Sequence, residues 1–114
     1  MSIPTPTLDN LCEALPDELK DIRLNVSSVL TGENLQATQA LGIALSCGHF
    51  IRSDEIVLAI KTDLREAIGE GSDPIISDAI AAGGIMAMNT VYYRFRHMIG
   101  KESYTARPAR LRMN

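Results

Sequence analysis

Tryptophan is missing from this chain of 114 residues, and aromatics of any kind make up only 4% of it. Core filling therefore falls to Leu, Ile, Ala and Met. Valine is sparse and alternating apolar–polar runs are hard to find, which argues against a sheet. No unbroken apolar run reaches the roughly 18 residues needed to cross a membrane. The first residues, MSIPTPTLDN, have neither a basic start nor an apolar signal core, so a cytoplasmic protein is the expectation. Cysteine is nearly absent. Cys12 and Cys47 are too few and too far apart for a disulfide framework or a metal motif, and each reads as a small buried side chain.

Positive charge is scarce until the end of the chain. Residues 1–93 hold 13 acids and 5 bases, giving −8, whereas residues 94–114 hold 1 acid and 6 bases, giving +5. The bases are Arg94, Arg96, Lys101, Arg107, Arg110 and Arg112, with Tyr92, Tyr93, Phe95 and Tyr104 among them. Such a tail suits nucleic acid. It equally suits the acidic helices of the same chain or of a second copy. With a net charge of −3 the second reading is preferred.

What the chain has in quantity is helix-forming sequence, and one stretch organises it: Ser72 to Gly100. Asp73 as N-cap and Pro74 at the first helical position are start signals, and Gly100 is a stop. The spacing predicts a long helix over about 74–99. From Ala79 to Met88 every residue is apolar or Gly, so this rod is expected to be enclosed by other helices. Gly83 and Gly84 should both lie where another helix crosses closely.

The remaining segments read as its casing. Residues 1–6 form a loose arm, and Thr7 caps a short helix bearing Leu8, Leu11, Ala14 and Leu15. Pro16 opens a second helix with the stripe Leu19, Ile22, Arg23, Val26 and Leu30. A third runs from about Glu33 to Phe50 with Leu35, Thr38, Gly42, Leu45 and His49 at helical spacing. Ser53 caps a fourth, Asp54 to Ile68, with stripe Ile56, Val57, Ile60, Leu64 and Ile68. Its other side, Lys61, Asp63, Arg65 and Glu66, suits water. After Gly100 an irregular basic tail, residues 101–114, completes a single unit over 1–114. The class is all-α, an antiparallel helical bundle.

Chemistry is thin in these residues. A redox pair needs two thiols in reach, usually C-x-x-C at a helix N-terminus, and neither cysteine has that setting. Cys47 and His49, two apart on a helix, point away from each other. His97 suits the negative end of the helix dipole. His49 and His97 are the only histidines, so no metal cluster is expected. Asn89, after the apolar run, must find partners if buried. Gly83-Gly84 lies mid-helix and is no phosphate loop. No catalytic, cofactor-binding or metal-binding residue is assigned.

LKDIRLNVSSVL (Leu19–Leu30), IMAMNTVYYRFRHMIG (Ile85–Gly100) and the closing LRMN (Leu111–Asn114) resemble, in order and spacing, the N-terminal half of the alkylhydroperoxidase D (AhpD-like) type in the carboxymuconolactone decarboxylase-like family. The resemblance spans about Leu15 to Asn114. It implies an all-α, oligomeric fold, commonly a trimer, built from a duplicated helical unit. It also implies that the chemistry sits in the second unit: C-x-x-C with a following His and an upstream Glu, which reduce hydroperoxides or pass electrons from a lipoyl-type donor to a peroxiredoxin. Laying the first unit over the second puts the redox pair near Ile51 and Asp54 and the Glu near Gln39. None of these does thiol chemistry. The chain is thus either a fragment of a longer protein or a free-standing half.

Three functions remain open. The chain is the non-catalytic unit of an antioxidant protein, a non-enzymatic helical oligomerisation module, or a nucleic-acid binder through its basic end. Self-association is expected in the first two, with no membrane contact.

Overall fold

The computed structural model describes residues 2–100, and within them the chain is helical throughout its regular structure, with no strand. The helices are α1 (Pro6–Glu13), α2 (Lys20–Leu30), α3 (Ala37–Phe50), α4 (Asp54–Ile68) and α5 (Ser72–Ile99). Short 3₁₀ turns precede α2 at Asp17–Leu19 and α5 at Gly69–Gly71. The expected tail, with Lys101, Tyr104, Arg107, Pro108, Arg110, Arg112 and the LRMN segment, lies outside the described residues.

A three-residue link containing the cap Ser53 reverses the chain between α3 and α4. The Ser53 hydroxyl accepts from the backbone N–H of Ile56 at 3.5 Å. A second reversal at Gly69, which takes a positive φ of 58°, leads into α5. Two reversals bring α5 back alongside α3 in the same direction: Gly42 lies against Ile75, and Gly83 against Ser46 and His49. This is the most extensive helix pair. The core consists of Leu41, Leu45, Ile60, Leu64, Ile76 and Ala79, closed at one end by Leu8 of α1. The pattern read for α4 holds: Ile60 and Leu64 are buried, and Ile56 and Val57 pack half-buried against them.

Several local expectations are corrected. Pro6 already opens α1, and Ile3 packs half-buried on the core, so the loose arm is shorter than residues 1–6. The cap position of α1 is Thr5, not Thr7. Pro16 caps a 3₁₀ turn rather than starting α2. The third helix begins at Ala37, where the Gln39 side chain accepts from the Gln36 N–H at 3.0 Å, and Leu35 is left 48% exposed. α5 begins at Ser72, whose hydroxyl donates to the Gly69 carbonyl at 2.6 Å, so Asp73 and Pro74 lie inside its first turn.

The larger correction concerns α4. Asp63, read as facing water, is 1% exposed. Its two carboxylate oxygens accept the backbone N–H groups of Thr7 and Leu8, each at 2.9 Å. Those are the second and third residues of α1, the donors that a side-chain N-cap normally satisfies. Thr5 makes no such bond to the backbone and donates to Asp9 instead. Asp63 therefore caps α1 from a helix more than fifty residues away in sequence.

α5 is also less enclosed than expected. It is 28 residues long and α3 only 14, so about 18 Å of it, from Met88 on, projects past the end of α3. Only Ser72, Ile76, Ala79 and Gly83 are buried. A Cβ on Gly83 would lie 3.0 Å from the Ser46 carbonyl oxygen, whereas one on Gly84 would meet nothing within 4 Å. The close crossing uses Gly83 alone. By length and composition, one 18-residue window of the α4–α5 run is apolar enough to cross a membrane, with a mean hydropathy of 1.3. Averaging over its glycines and polar residues yields that value where unbroken runs fall short.

Two substitutions test this architecture. Asp63→Ala strands two buried N–H groups and should cost about 1–3 kcal/mol in urea unfolding. Asp63→Asn should cost nearly as much, because its amide turns a donor toward one of them. Gly83→Ala should destabilise despite the better helix propensity of Ala, by about 1–3 kcal/mol, since backbone must shift to admit the methyl group. Stability equal to the parent in either case would refute the packing described.

Candidate functional site

One concavity is a cleft of about 580 Å³ walled by four helices. Leu8, Leu11 and Leu15 come from α1 and its end, Ile22, Val26 and Leu30 from α2, Ala44 and Cys47 from α3, and Ile56 and Ile60 from α4. The cleft exists because α2 packs lightly. None of its residues is buried, and Ile22 remains 50% exposed along the stripe that faces the core. The polar groups at its edge are few: Asn25, Ser53 and Glu55. A second cleft of about 450 Å³ follows the α3–α5 seam, lined among others by Gln39, Ser46, Cys47 and Asp78.

Both cysteines line the larger cleft, and Cys47 borders both. Cys47 is exposed rather than packed, which corrects the buried reading; Cys12 is half-buried. Burial pushes the Cys12 thiol up, Asp9 adds to this, and Arg23 opposes it. A raised thiol carries little thiolate at neutral pH and is a poor nucleophile.

His49 lies on the opposite side of α3 from the larger cleft, with its Cβ facing Gly83 of α5. Its Nε2 is buried without a hydrogen-bond partner. Burial lowers its imidazole below the ordinary value of 6.5, Lys61 acts in the same direction, and Asp54 opposes both. The Oδ1 of Asn89 is likewise buried without a partner, so the amide does not pin a neighbouring helix through that oxygen. His97 is exposed in the last turn of α5. Beside it Arg96 sits over the rings of Tyr93 and Tyr92, at 5.1 and 5.9 Å from their centroids. No group of three His, Cys, Asp or Glu is placed to hold a metal among the described residues.

The positions that the resemblance marks for thiol chemistry come together at the α3–α4 link. Ile51 is the exposed residue that ends α3, and Asp54 opens α4, with Ser53 between them as the cap. The location suits a low-pKa thiol, since the N–H groups of α4 point into it. Gln39 is a full helix away, engaged with Gln36. The cleft itself was not readable from sequence, because its walls are ordinary apolar stripes. Asp63 was readable: it stands three residues after Ile60 and seven after Ile56, on the buried face.

The imidazole yields a pH expectation. With the folded value of His49 depressed, the unfolded chain binds the proton more readily between that value and 6.5. Its contribution is therefore intact above 6.5 and lost as pH falls through the folded value. Denaturant unfolding across that window should show stability falling on acidification, and His49→Gln should flatten the slope. An identical slope in the variant would remove His49 as its source.

No protein-family profile matches the chain, and no solved structure matches it either. Curated proteins do. The alkyl hydroperoxide reductase AhpD of Anaeromyxobacter sp. (strain K) is 45% identical over 108 residues, covering 95% of this chain and 56% of that protein. The same-named protein of Anaeromyxobacter sp. (strain Fw109-5) is 47% identical over 106 residues, 93% of this chain and 56% of that protein. That of Brucella abortus (strain 2308) is 41% identical over 108 residues, 95% of this chain and 60% of that protein. The chain thus spans less than two thirds of the length of these relatives.

Proposed function

From a chain that is AhpD-like in sequence along about 95% of its length, we infer a role in antioxidant defence as the non-catalytic unit of an alkylhydroperoxidase D type protein. In this reading the complete protein reduces organic hydroperoxides or relays electrons from a lipoyl-type donor to a peroxiredoxin. The chemistry belongs to a segment that the 114 residues do not include. The observation that carries the reading is the turn at the start of α4. There a helix N-terminus capped by Ser53 follows the end of α3, with Ile51 and Asp54 at the positions where the resemblance places thiols.

The chemistry explains why such a unit is silent alone. Reducing a hydroperoxide takes two electrons: one thiol forms a sulfenic acid and releases an alcohol, and a second closes a disulfide and releases water. Cys12 and Cys47 sit on different helices, and the first is pushed toward the unreactive thiol form. The unit contributes structure: a helical scaffold that associates with further copies, as the trimers of the resembled family do. Its site is cytoplasmic, away from membranes, and its basic end meets protein rather than nucleic acid.

A purely structural oligomerisation module is the second reading, favoured by the exposed apolar residues along α5. A peroxidase assay with an organic hydroperoxide and a dithiol donor tests the first reading's account of this chain. Turnover should not exceed the donor-only background, and Cys12→Ser and Cys47→Ser should leave it there. Robust turnover abolished by Cys47→Ser would overturn the assignment as non-catalytic.

A further inference from the structure

We propose that α1 is a hinged lid on the 580 Å³ cleft, latched by Asp63, and that it opens as a unit while α3, α4 and α5 stay folded. Opening bares the Cys12 thiol and the apolar floor of the cleft, and closure shields both. The lid follows from how little holds it. Among the described residues α1 packs extensively on α4 and on no other helix. Of its eight residues only Leu8 is buried. Leu11 and Cys12 are half-buried on the cleft wall, and Asp9, Asn10 and Glu13 are exposed. A helix this short does not hold itself together in water. Its stability comes from its attachments: the carboxylate of Asp63, the seat of Leu8 in the core, and a half-buried contact from Ile3 just ahead of it.

Three features make this attachment a latch and a hinge. First, the start of α1 has no side-chain cap of its own. The Thr5 hydroxyl donates to Asp9, and the N–H groups of Thr7 and Leu8 are left to Asp63, which accepts both at 2.9 Å. Both bonds end on one carboxylate, so they break together when α1 leaves. Second, the link after α1 is tied to nothing across the fold. Ala14 and Leu15 donate back to Asn10 and Cys12, and the extended Pro16 accepts forward from Leu19. Among the described residues no other backbone hydrogen bond holds 14–16. Third, the helices that stay behind keep a core of their own. Leu41, Leu45, Ile60, Leu64, Ile76 and Ala79 all come from α3, α4 and α5. Segments held by few buried contacts open below the cost of global unfolding. Two thiols report the motion. Burial pushes the Cys12 thiol up while the lid is shut, and opening removes that burial and frees the more reactive thiolate. Cys47, on α3, is already exposed with the lid shut and serves as the reference.

Amide exchange of the 114-residue chain, resolved by peptide, should show protection in α1 at least about tenfold lower than in α4, the helix it packs on. Alkylation by iodoacetamide then reads each thiol separately, Cys12 in a Cys47→Ser chain and Cys47 in a Cys12→Ser chain. Asp63→Asn should speed labelling of Cys12 about tenfold or more and leave that of Cys47 within about twofold. Leu11→Ala loosens the wall of α1 without touching the latch. It should speed Cys12 labelling several-fold, and it keeps the test available if the Asp63 variant does not fold. Equal protection in α1 and α4, or Cys12 labelling with the urea dependence of global unfolding, shows that α1 leaves only when the whole fold does, and overturns the lid. A Cys12 rate unmoved by both substitutions overturns it as well, because the thiol then reacts from the closed form. So does a matching rise at Cys47, which assigns the effect to loss of the whole fold.

Discussion

The carboxylate of Asp63, buried at the junction of two helices, is the interaction on which the rest of this fold leans. An unpaired buried carboxylate is expensive, and so are the bare N–H groups at a helix start. Here each offsets the other: two N–H···O bonds of 2.9 Å satisfy the anion and the first turn of α1 together. The helix dipole, positive at that end, adds to the attraction. α1 has only eight residues and would be marginal alone. Held by Asp63, it delivers Leu8 to the core and Leu11 and Cys12 to the wall of the larger cleft. The clamp thus supplies one wall of the cleft that the light packing of α2 leaves open.

The second constraint is the close passage of α3 and α5 at Gly83. The Ser46 carbonyl lies where any side chain on Gly83 would begin, so the two helices sit at backbone contact. Because this passage lies near the end of α3 but before the middle of α5, the longer helix is left unsupported further along. That single geometric fact produces the exposed Met88, Val91, Phe95 and Met98. It also explains how a helix with an uninterrupted apolar middle, which on sequence grounds reads as fully enclosed, has one face covered and another open. An apolar surface of this kind asks for a partner, from another part of a longer chain or from a second molecule.

The functional reading turns on a separation between scaffold and chemistry. The start of α4 offers a capped helix N-terminus beside an apolar cleft, a setting that would activate a thiol. The residues there, Ile51 and Asp54, do no such chemistry, and the cysteines the chain has stand elsewhere: Cys12 in a desolvated wall, Cys47 on a ridge between two clefts.

The sequence by itself determined the helices and the class. Ser53 as a cap, Asp54–Ile68 as an amphipathic helix and Gly100 as the stop of α5 follow from local capping chemistry and periodicity, which act within a few residues. The resemblance to the AhpD-like type was legible for the same reason, since it rests on runs of residues in order. Contacts between distant segments decided the rest. Asp63 satisfies donors at Thr7 and Leu8, and only folding brings them together, although its place on the stripe of Ile56 and Ile60 already hinted at burial. Gly83 and Gly84 are indistinguishable as neighbours in a string. They differ by about 100° around the helix, and tertiary packing put α3 against one and left the other open. Burial depends on which helix is longer and where the two cross, and no local pattern encodes that.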